Sequence, residues 1–247
     1  MTVELEQYEE RVVVFIDILG FREHIKKSVN DAEYFVKLRD TLNIISELKD
    51  ESDDETRRQI TVFSDSIVIS YPVQLPGAVF GCLLDVVHIQ LEMMRMGILM
   101  RGGIAVGQLC HNDNIVYGPA MVEAYELESK AAIYPRVIVS PKVFEAALQN
   151  PENTPEEDLE YIDGLRLKDW DGNWYVDFLR QRQEVDYEID YYRALLTIKS
   201  VIISEIEKNQ QKADVLMKYQ WLKNYYNEVA EELPEDLELF IEENEEI

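Results

Sequence analysis

The spacing of apolar residues changes several times along the chain, and each spacing predicts a different element. Residues 12–16 are all apolar and mostly β-branched, which predicts a central buried strand. Apolar residues three and four apart predict a helix over residues 32–48. Two apolar runs, 59–63 and 67–71, flank three small polar residues and predict a tight hairpin with Asp65 at its tip.

The remaining pattern alternates between helices and strands and then becomes helical. We predict helices over 76–96, 118–132 and 141–148, strands over 98–109, 115–117 and 137–139, and a hairpin of 165–168 with 174–179. Ser140 is the predicted N-cap of the helix 141–148, and residues 150–158 read as a linker. Two long helices follow within 184–232, and the acidic tail 235–247 reads as a solvated end. The element order predicts an α+β sandwich of the ferredoxin-like βαββαβ kind over residues 1–180, with a helical extension over 184–247.

Composition and charge narrow the class of protein. The chain has 247 residues, of which 47% are hydrophobic, so it can bury a sizeable core. A formal net charge of −25 disfavours nucleic acid and anionic membranes as main partners. No apolar run approaches the ~20 residues that span a bilayer, and the acidic N-terminus lacks the apolar core of a signal peptide. With Cys82 and Cys110 too few for a zinc cluster or a disulfide framework, we expect a cytoplasmic protein.

Two carboxylates stand at the ends of predicted core strands. Asp17 ends the first strand and Asp65 ends the second, and the two side chains converge if those strands lie side by side. Mg²⁺ and Mn²⁺ take such oxygen ligands, with substrate phosphates completing the shell. The turn 18–21 offers backbone N–H groups that suit a triphosphate. Taken singly, Asp17 also fits a helix cap and Asp65 a polar hairpin tip.

Several ordered motifs together resemble the class III nucleotidyl cyclases. The motifs are Phe15-x-Asp17-Ile18-x-Gly20-Phe21, Phe63-Ser64-Asp65-Ser66, Arg101-x-Gly103-Ile104-x-x-Gly107, Val116-Tyr117-Gly118 and Val137-Ile138-Val139-Ser140. They occur in the family's order across about residues 11–179. The resemblance implies a class III cyclase-like catalytic domain over residues 1–180.

The same resemblance assigns roles to individual residues. It implies that Asp17, Asp65 and the Ile18 carbonyl bind two Mn²⁺ or Mg²⁺ ions, and that Arg101 contacts the β- and γ-phosphates. Lys168 matches a phosphate-binding lysine supplied by the opposite subunit, which implies a homodimer, although a lysine on an exposed hairpin is an equally good interpretation. The substrate-binding residues that it implies are Phe15, Ile18, Leu19, Gly20, Phe21, Thr61, Val62, Phe63 and Ser64.

The chain departs from the purine cyclases at four positions. Thr61 stands where they carry a base-reading Lys or Glu, and Ile115 stands where they often carry Asp. Val122 and Glu126 replace the Asn and Arg that act on the transition state. These losses indicate either a silent cyclase or an enzyme for another base.

A narrower resemblance bears on that choice. Residues 118–128 (GPAMVEAYELE), 132–136 and 218–227 (KYQWLKNYYN) look like the pyrimidine cyclases of bacterial Pycsar antiphage systems. That family implies cyclic UMP or cyclic CMP as product, with UTP favoured, and a separate effector that the product activates. A catalytically silent module that binds a nucleotide or a partner is the alternative, and an adenylate cyclase with an unusual base pocket is a third possibility.

Overall fold

The computed structural model describes residues 7–47, 56–112 and 114–242. The predictions for residues 1–6, for the acidic loop 50–55 and for the last residues of the tail, 243–247, lie outside the described residues. None of the helices in these ranges is both long and apolar enough to cross a bilayer.

Eight strands and eight α-helices make up the regular structure of the described residues. The strands are β1 Glu9–Ile18, β2 Gln59–Phe63, β3 Ser66–Pro72, β4 Met100–His111, β5 Val116–Tyr117, β6 Val137–Val139, β7 Arg166–Lys168 and β8 Trp174–Val176. The helices are α1 Phe21–Asn30, α2 Ala32–Glu47, α3 Ala78–Arg95, α4 Pro119–Glu126, α5 Pro141–Gln149, α6 Pro155–Gly164, α7 Glu188–Lys208 and α8 Ala213–Glu231. A π-helical turn, Leu127–Ala131, continues α4.

The sheet has the order β2-β3-β1-β4-β6-β8-β7, with β5 paired to β4. Its first four strands have the order and antiparallel pairing of a ferredoxin-like βαββαβ unit, which confirms the predicted α+β class. One detail of the prediction is wrong. The neighbours of β1 are β3 and β4, so β1 and β2 do not lie side by side.

Strand β1 is buried on both faces, as its unbroken apolar run predicts. Val12, Val14 and Ile16 belong to the main core, which also contains the inner face of α3. Val13 belongs to a smaller core under α4 on the opposite face of the sheet. Asp17 shares the α4 face with Val13, because alternate residues of a strand point the same way.

The C-terminal helices are joined to the sheet through a buried arginine. Arg136 is fully buried and pairs with Asp169 and Asp171 in the turn between β7 and β8. The Trp221 indole on α8 donates to Asp169 at 2.7 Å and lies on the Arg136 guanidinium. Breaking this network would leave Arg136 buried without a partner, which is strongly destabilising.

Two predictions for the segment after β6 are wrong. The predicted linker becomes helix α6 from Pro155, because Thr154 and Glu157 form a reciprocal capping box. Ser140 makes no side-chain cap on α5, since its hydroxyl donates to Glu123 on α4 instead.

The tail is also more ordered than predicted as far as residue 242. Leu239 and Ile241 are buried against the core. Lys199 donates to the carbonyls of Glu238 and Phe240, and Asn227 exchanges two hydrogen bonds with the backbone of Ile241. The acidic residues of this segment therefore flank two side chains, Leu239 and Ile241, that are part of the hydrophobic core.

Candidate active site

Asp17 lies at the end of β1 between two neighbouring strands. It is opposite Ser66 of β3 and opposite Arg101 of β4. The Ser66 hydroxyl donates to the Asp17 carboxylate at 3.3 Å, and the Arg101 guanidinium lies 3.8 Å from it. The predicted metal ligand and the predicted phosphate ligand therefore meet at one end of the sheet.

Asp65 reaches the same place from the two-residue turn between β2 and β3. Ser64, the first residue of this turn, has a positive φ of 58°, which permits the tight reversal. The Ile18 amide donates to the Asp65 carbonyl at 3.1 Å and joins the turn to the end of β1. The charge of Asp65 also acts on Asp17, so the two carboxylates are neighbours, and β3 and its turn bring this about rather than a pairing of β1 with β2.

Glu128 is a third carboxylate in this cluster, and the sequence gives it no predicted role. It lies in the π-helical turn after α4, is only 3% exposed, and approaches Arg101 to 2.7 Å. Gly103 allows this approach, since a Cβ there would lie 2.6 Å from the Cβ of Leu127 and 2.4 Å from the carbonyl oxygen of Ala124. The turn can therefore rest directly on β4 and hold Glu128 over Arg101.

The cluster contains three carboxylates and one arginine, so its negative charge is only partly neutralised. Burial, together with the charges of Asp65 and Glu128, raises the pKa of Asp17 to about 6, and Arg101 opposes this shift only in part. Burial likewise raises the pKa of Glu128, and the charge of Arg101 again opposes the shift. A bound cation would relieve this repulsion.

These residues suit a divalent ion whose remaining ligands would come from water and from a substrate. Among the described residues, no group of three or more His, Cys, Asp or Glu forms a metal cage. Mg²⁺ needs no such cage, because it often binds one or two carboxylates and takes waters and substrate phosphates for the rest. Asp17 and Asp65 supply that number of carboxylates in a region of surplus negative charge. The role of the Ile18 carbonyl stays a prediction.

The turn after Asp17 offers fewer amides than predicted. The Ile18 amide is bonded to Asp65, and the Leu19 amide donates to the Leu99 carbonyl at 2.8 Å. Only the Gly20 and Phe21 amides of this turn have no acceptor within the described residues, so these two are the N–H groups that the turn can offer to a ligand. Gly20, the N-cap residue of α1, has a positive φ of 75°, a conformation that suits glycine.

A polar network lies further along the same sheet face. The Thr61 hydroxyl contacts His111 Nε2 at 3.0 Å, and the Ser70 hydroxyl contacts His111 Nδ1 at 2.8 Å. The buried Arg11 donates to Ser70 at 2.9 Å. Thr61 and Asp17 are two strands and two residues apart, roughly 12 Å between Cα atoms. Thr61, at the position to which the resemblance assigns base reading, is therefore hydrogen-bonded to an imidazole.

The other predicted site residues lie on both faces of the sheet and at its edge. Phe15 packs edge-on against Tyr125 of α4, and Phe63 is 78% exposed beside the turn. Leu19, Phe21 and Val62 are partly buried against the main core. Lys168 lies on the edge strand β7, four strand positions from β1, and packs against Trp174. It is roughly 20 Å from Asp17 across the sheet, so one chain does not bring Lys168 to the cluster.

Sequence reasoning missed Glu128 and His111 as members of this site. Glu128 falls in a stretch with helical spacing, and the π-helical turn that redirects it has no clear pattern in sequence. His111 is far from Thr61 and Ser70 in sequence, and only the pairing of β2, β3, β1 and β4 brings them together.

Comparisons with known proteins return structural neighbours only. No protein-family model and no curated protein matches the chain. The adenylyl cyclase CyaB from P. aeruginosa is 16% identical over 58% of this chain and 82% of its own, with a TM-score of 0.47. A class III adenylyl cyclase-like ATP-binding protein from Pseudomonas aeruginosa is 13% identical over 63% of this chain and 40% of its own, with a TM-score of 0.39.

A bacterial light-regulated adenylyl cyclase is 13% identical over 77% of this chain and 99% of its own, with a TM-score of 0.43. The chain thus spans less than half of the ATP-binding protein and nearly all of the light-regulated enzyme. Likeness at this level assigns no activity to the chain. The α+β class is established by the chain's own sheet order and packing.

Proposed function

We propose that the protein is a class III-like nucleotide cyclase that converts a nucleoside triphosphate to a cyclic nucleotide and pyrophosphate. The observation that carries the proposal is the convergence of Asp17, Asp65 and Arg101 from three separate elements at one end of the sheet. Two neighbouring carboxylates, one of them beside an arginine, suit a cation-bound polyphosphate, in which both signs of charge are present.

The reaction forms a bond between the ribose 3′ oxygen and the α-phosphorus and breaks the bond from the α-phosphorus to the pyrophosphate. Two divalent ions, Mn²⁺ or Mg²⁺, held by Asp17, Asp65 and the Ile18 carbonyl, would supply a lowered hydroxyl pKa and charge neutralisation of the phosphates. The hydroxyl proton leaves to solvent. The amides of Gly20 and Phe21 are the two of their turn that remain to donate to phosphate oxygens.

Arg101 holds the β- and γ-phosphates in this proposal. A guanidinium can bind two phosphate oxygens through parallel N–H bonds, which orients the leaving pyrophosphate. Its present partner is Glu128 at 2.7 Å, so substrate binding exchanges a carboxylate for a phosphate. Glu128 keeps Arg101 on the correct face before substrate arrives.

A pyrimidine substrate is the finer part of the proposal. Thr61 carries no charge with which to read a purine edge, and its hydroxyl is hydrogen-bonded to His111. Ile115, which is 47% exposed, adds no polar group. The resemblance to the Pycsar cyclases favours UTP over CTP, and it extends the proposal to a product that activates a separate effector during antiphage defence.

A homodimer completes the site in this proposal. Lys168 cannot reach the Asp17 cluster within one chain, so a second chain would have to supply it. Large apolar side chains are also exposed at the end of β2, in and before β5, and on α4: Phe63, Ile115, Tyr117, Val122 and Tyr125. Exposed apolar patches of this kind mark interaction surfaces.

One observation favours the silent module as a second candidate. Arg101 already forms an ion pair with the buried Glu128 when no ligand is bound. A module that uses Arg101 only to hold the π-helical turn would keep this pair and need no turnover.

A single incubation separates the two candidates. The purified full chain is mixed with ATP, GTP, CTP or UTP and Mn²⁺, and the products are identified by mass spectrometry. We expect cyclic UMP or cyclic CMP. Cyclic AMP as the main product would overturn the pyrimidine proposal, and the absence of any cyclic product would support the silent module. Asp186→Ala, at an exposed position far from the cluster in sequence, is the matched control for the aspartate variants.

A further inference from the structure

A cavity of about 710 Å³ lies between α1, α2, α7 and α8, on the other side of the β1–α1 junction from Asp17. Five of the chain's twelve lysines line it, in a protein whose net charge is −25. These lysines are Lys27, Lys37, Lys208, Lys212 and Lys218. The cavity is thus a concentration of positive charge on an otherwise acidic molecule.

The acidic residues of the cavity do not neutralise this charge. Glu23 pairs with Lys26 outside the lining at 2.6 Å, and Glu205 pairs with Lys208 at 3.1 Å. In the ranges that the structure describes, no carboxylate lies within ion-pair distance of the other four lysines, although Glu23 acts on Lys212 at longer range. The surplus positive charge is therefore local to the cavity wall.

Two of these lysines repel each other. Burial, and then the charge of Lys27, lowers the pKa of Lys37. The Lys37 ammonium lies over Gly97, 3.8 Å from where a Cβ would be, which places it inside the cavity against α7. Lys27 lies 3.9 Å above the ring of Tyr34. Folding thus holds two like charges near each other without a carboxylate between them, a cost that a bound anion would offset.

We propose that this cavity binds a phosphorylated small molecule of about nucleotide size. Lysine binds phosphate as a strong point charge, and several lysines on different elements can surround more than one phosphate group. The volume is within the range of small-molecule sites. Tyr34 and Tyr219 supply flat apolar surface for the remainder of the ligand.

The site is separate from the Asp17 cluster, yet it adjoins it. Leu19, Gly20 and Leu99 line the cavity, and Asp17 and Arg101 do not. Leu19 and Leu99 are joined by a backbone hydrogen bond of 2.8 Å and stand two residues from Asp17 and Arg101 respectively. An anion in the cavity therefore lies next to Leu19 and Leu99, close in sequence to the proposed catalytic residues. The binding of this anion does not depend on cyclase activity.

The test uses the full chain in EDTA, because the Asp17 cluster should repel a polyanion when no divalent ion is present. Inorganic tripolyphosphate is titrated at constant ionic strength, and binding is followed by calorimetry and by the shift in Tm. We expect saturable binding. The variant Lys37→Gln/Lys212→Gln should weaken it roughly tenfold or more, and Lys37→Arg/Lys212→Arg should retain most of it.

The matched control is Lys130→Gln/Lys142→Gln, which removes the same charge from exposed lysines that pair with Glu126 and Glu123. Equal weakening in the control and in the cavity variant would overturn the proposal, as would no saturable binding. Loss of binding in Arg101→Gln, with the cavity variant unaffected, would place the anion at the catalytic end and also overturn it. If the protein binds tripolyphosphate as expected and makes no cyclic nucleotide, the proposed cyclase function is contradicted and the proposed anion site is not.

Discussion

Two regions of opposite charge flank the short segment that joins β1 to α1. On one side, Arg101 lies beside Asp17 and Glu128, and the charge of Asp65 also acts on Asp17. On the other side, lysines of α1, α2, α7 and α8 surround a cavity with little opposing charge. Both regions keep like charges close together, at a cost to the stability of the ligand-free fold.

The difference lies in how each region is built. The acidic cluster stands on strand ends and a two-residue turn, whose positions are set by backbone pairing. The basic cavity stands on long side chains of packed helices, which have more freedom to adjust. Rigid strand ends suit a reaction that needs fixed geometry, whereas flexible lysines suit the binding of a charged ligand.

The largest expected effect comes from the acidic side. Asp17→Ala or Asp65→Ala should lower cyclisation on the order of a thousandfold or more, because each variant removes a ligand to ions that contribute several kcal/mol to the transition state. Product formation with Mn²⁺ is the measurement, and circular dichroism checks the fold. Near wild-type turnover in either variant, with Asp186→Ala also active, would rule out the metal assignment.

The next effect concerns Arg101 and separates its two roles. Arg101→Gln should lower kcat/KM about a hundredfold, and Arg101→Lys should restore only part of it, since lysine lacks the paired donors. The same change leaves Glu128 buried without a partner and should lower the free energy of unfolding by about 1–3 kcal/mol.

The double variant Arg101→Gln/Glu128→Gln should recover much of that stability and none of the activity. Urea unfolding and initial rates measure the two quantities independently. If activity returns with stability, Arg101 acts only as a partner for Glu128.

A smaller effect tests whether one site needs two chains. A mixture of Asp65→Ala and Lys168→Ala chains should regain roughly a quarter of wild-type sites, because random exchange makes about half of the dimers mixed and each has one complete site. A mixture of Asp17→Ala and Asp65→Ala chains is the control and should regain nothing, since every site then lacks one aspartate. No recovery in the first mixture, with exchange confirmed, would mean that Lys168 does not serve the site.

The acidic cluster could be predicted in large part from sequence, and the reason is physical. Asp17 directly follows the apolar run of β1 and Asp65 stands in a short turn, so strand pairing alone limits where their side chains lie. The position of Arg101 is limited in the same way, because it is the second residue of the neighbouring central strand β4 and pairs with Asp17. Glu128 was not predictable, since its position depends on a π-helical turn packed on Gly103.

The basic cavity had no signal in the sequence. Lys27 and Lys212 are separated by most of the chain, and only the packing of the C-terminal helices beside α1 and α2 brings them to one cavity. Helix α6 and the buried part of the tail were missed for a related reason. Their acidic composition is typical of solvated segments, while a capping box and two buried side chains, Leu239 and Ile241, decide their structure.

The smallest expected effect compares the two regions directly in the ligand-free protein. In a buffer with EDTA and no polyvalent anion, Asp17→Asn and Lys37→Gln should each raise Tm by about 1–2 °C, because each removes a partly desolvated charge that faces like charges. Asp186→Asn and Lys142→Gln carry the same charge changes at exposed positions and should leave Tm nearly unchanged.

Mn²⁺ should then raise the Tm of the wild type and of Lys37→Gln but not of Asp17→Asn. Tripolyphosphate in EDTA should raise the Tm of Asp17→Asn and have a reduced effect on Lys37→Gln. If Asp17→Asn and Lys37→Gln both lower Tm in the absence of ligands, then contacts within the fold already stabilise these two charges. Neither region would then have an unbalanced charge for a ligand to neutralise.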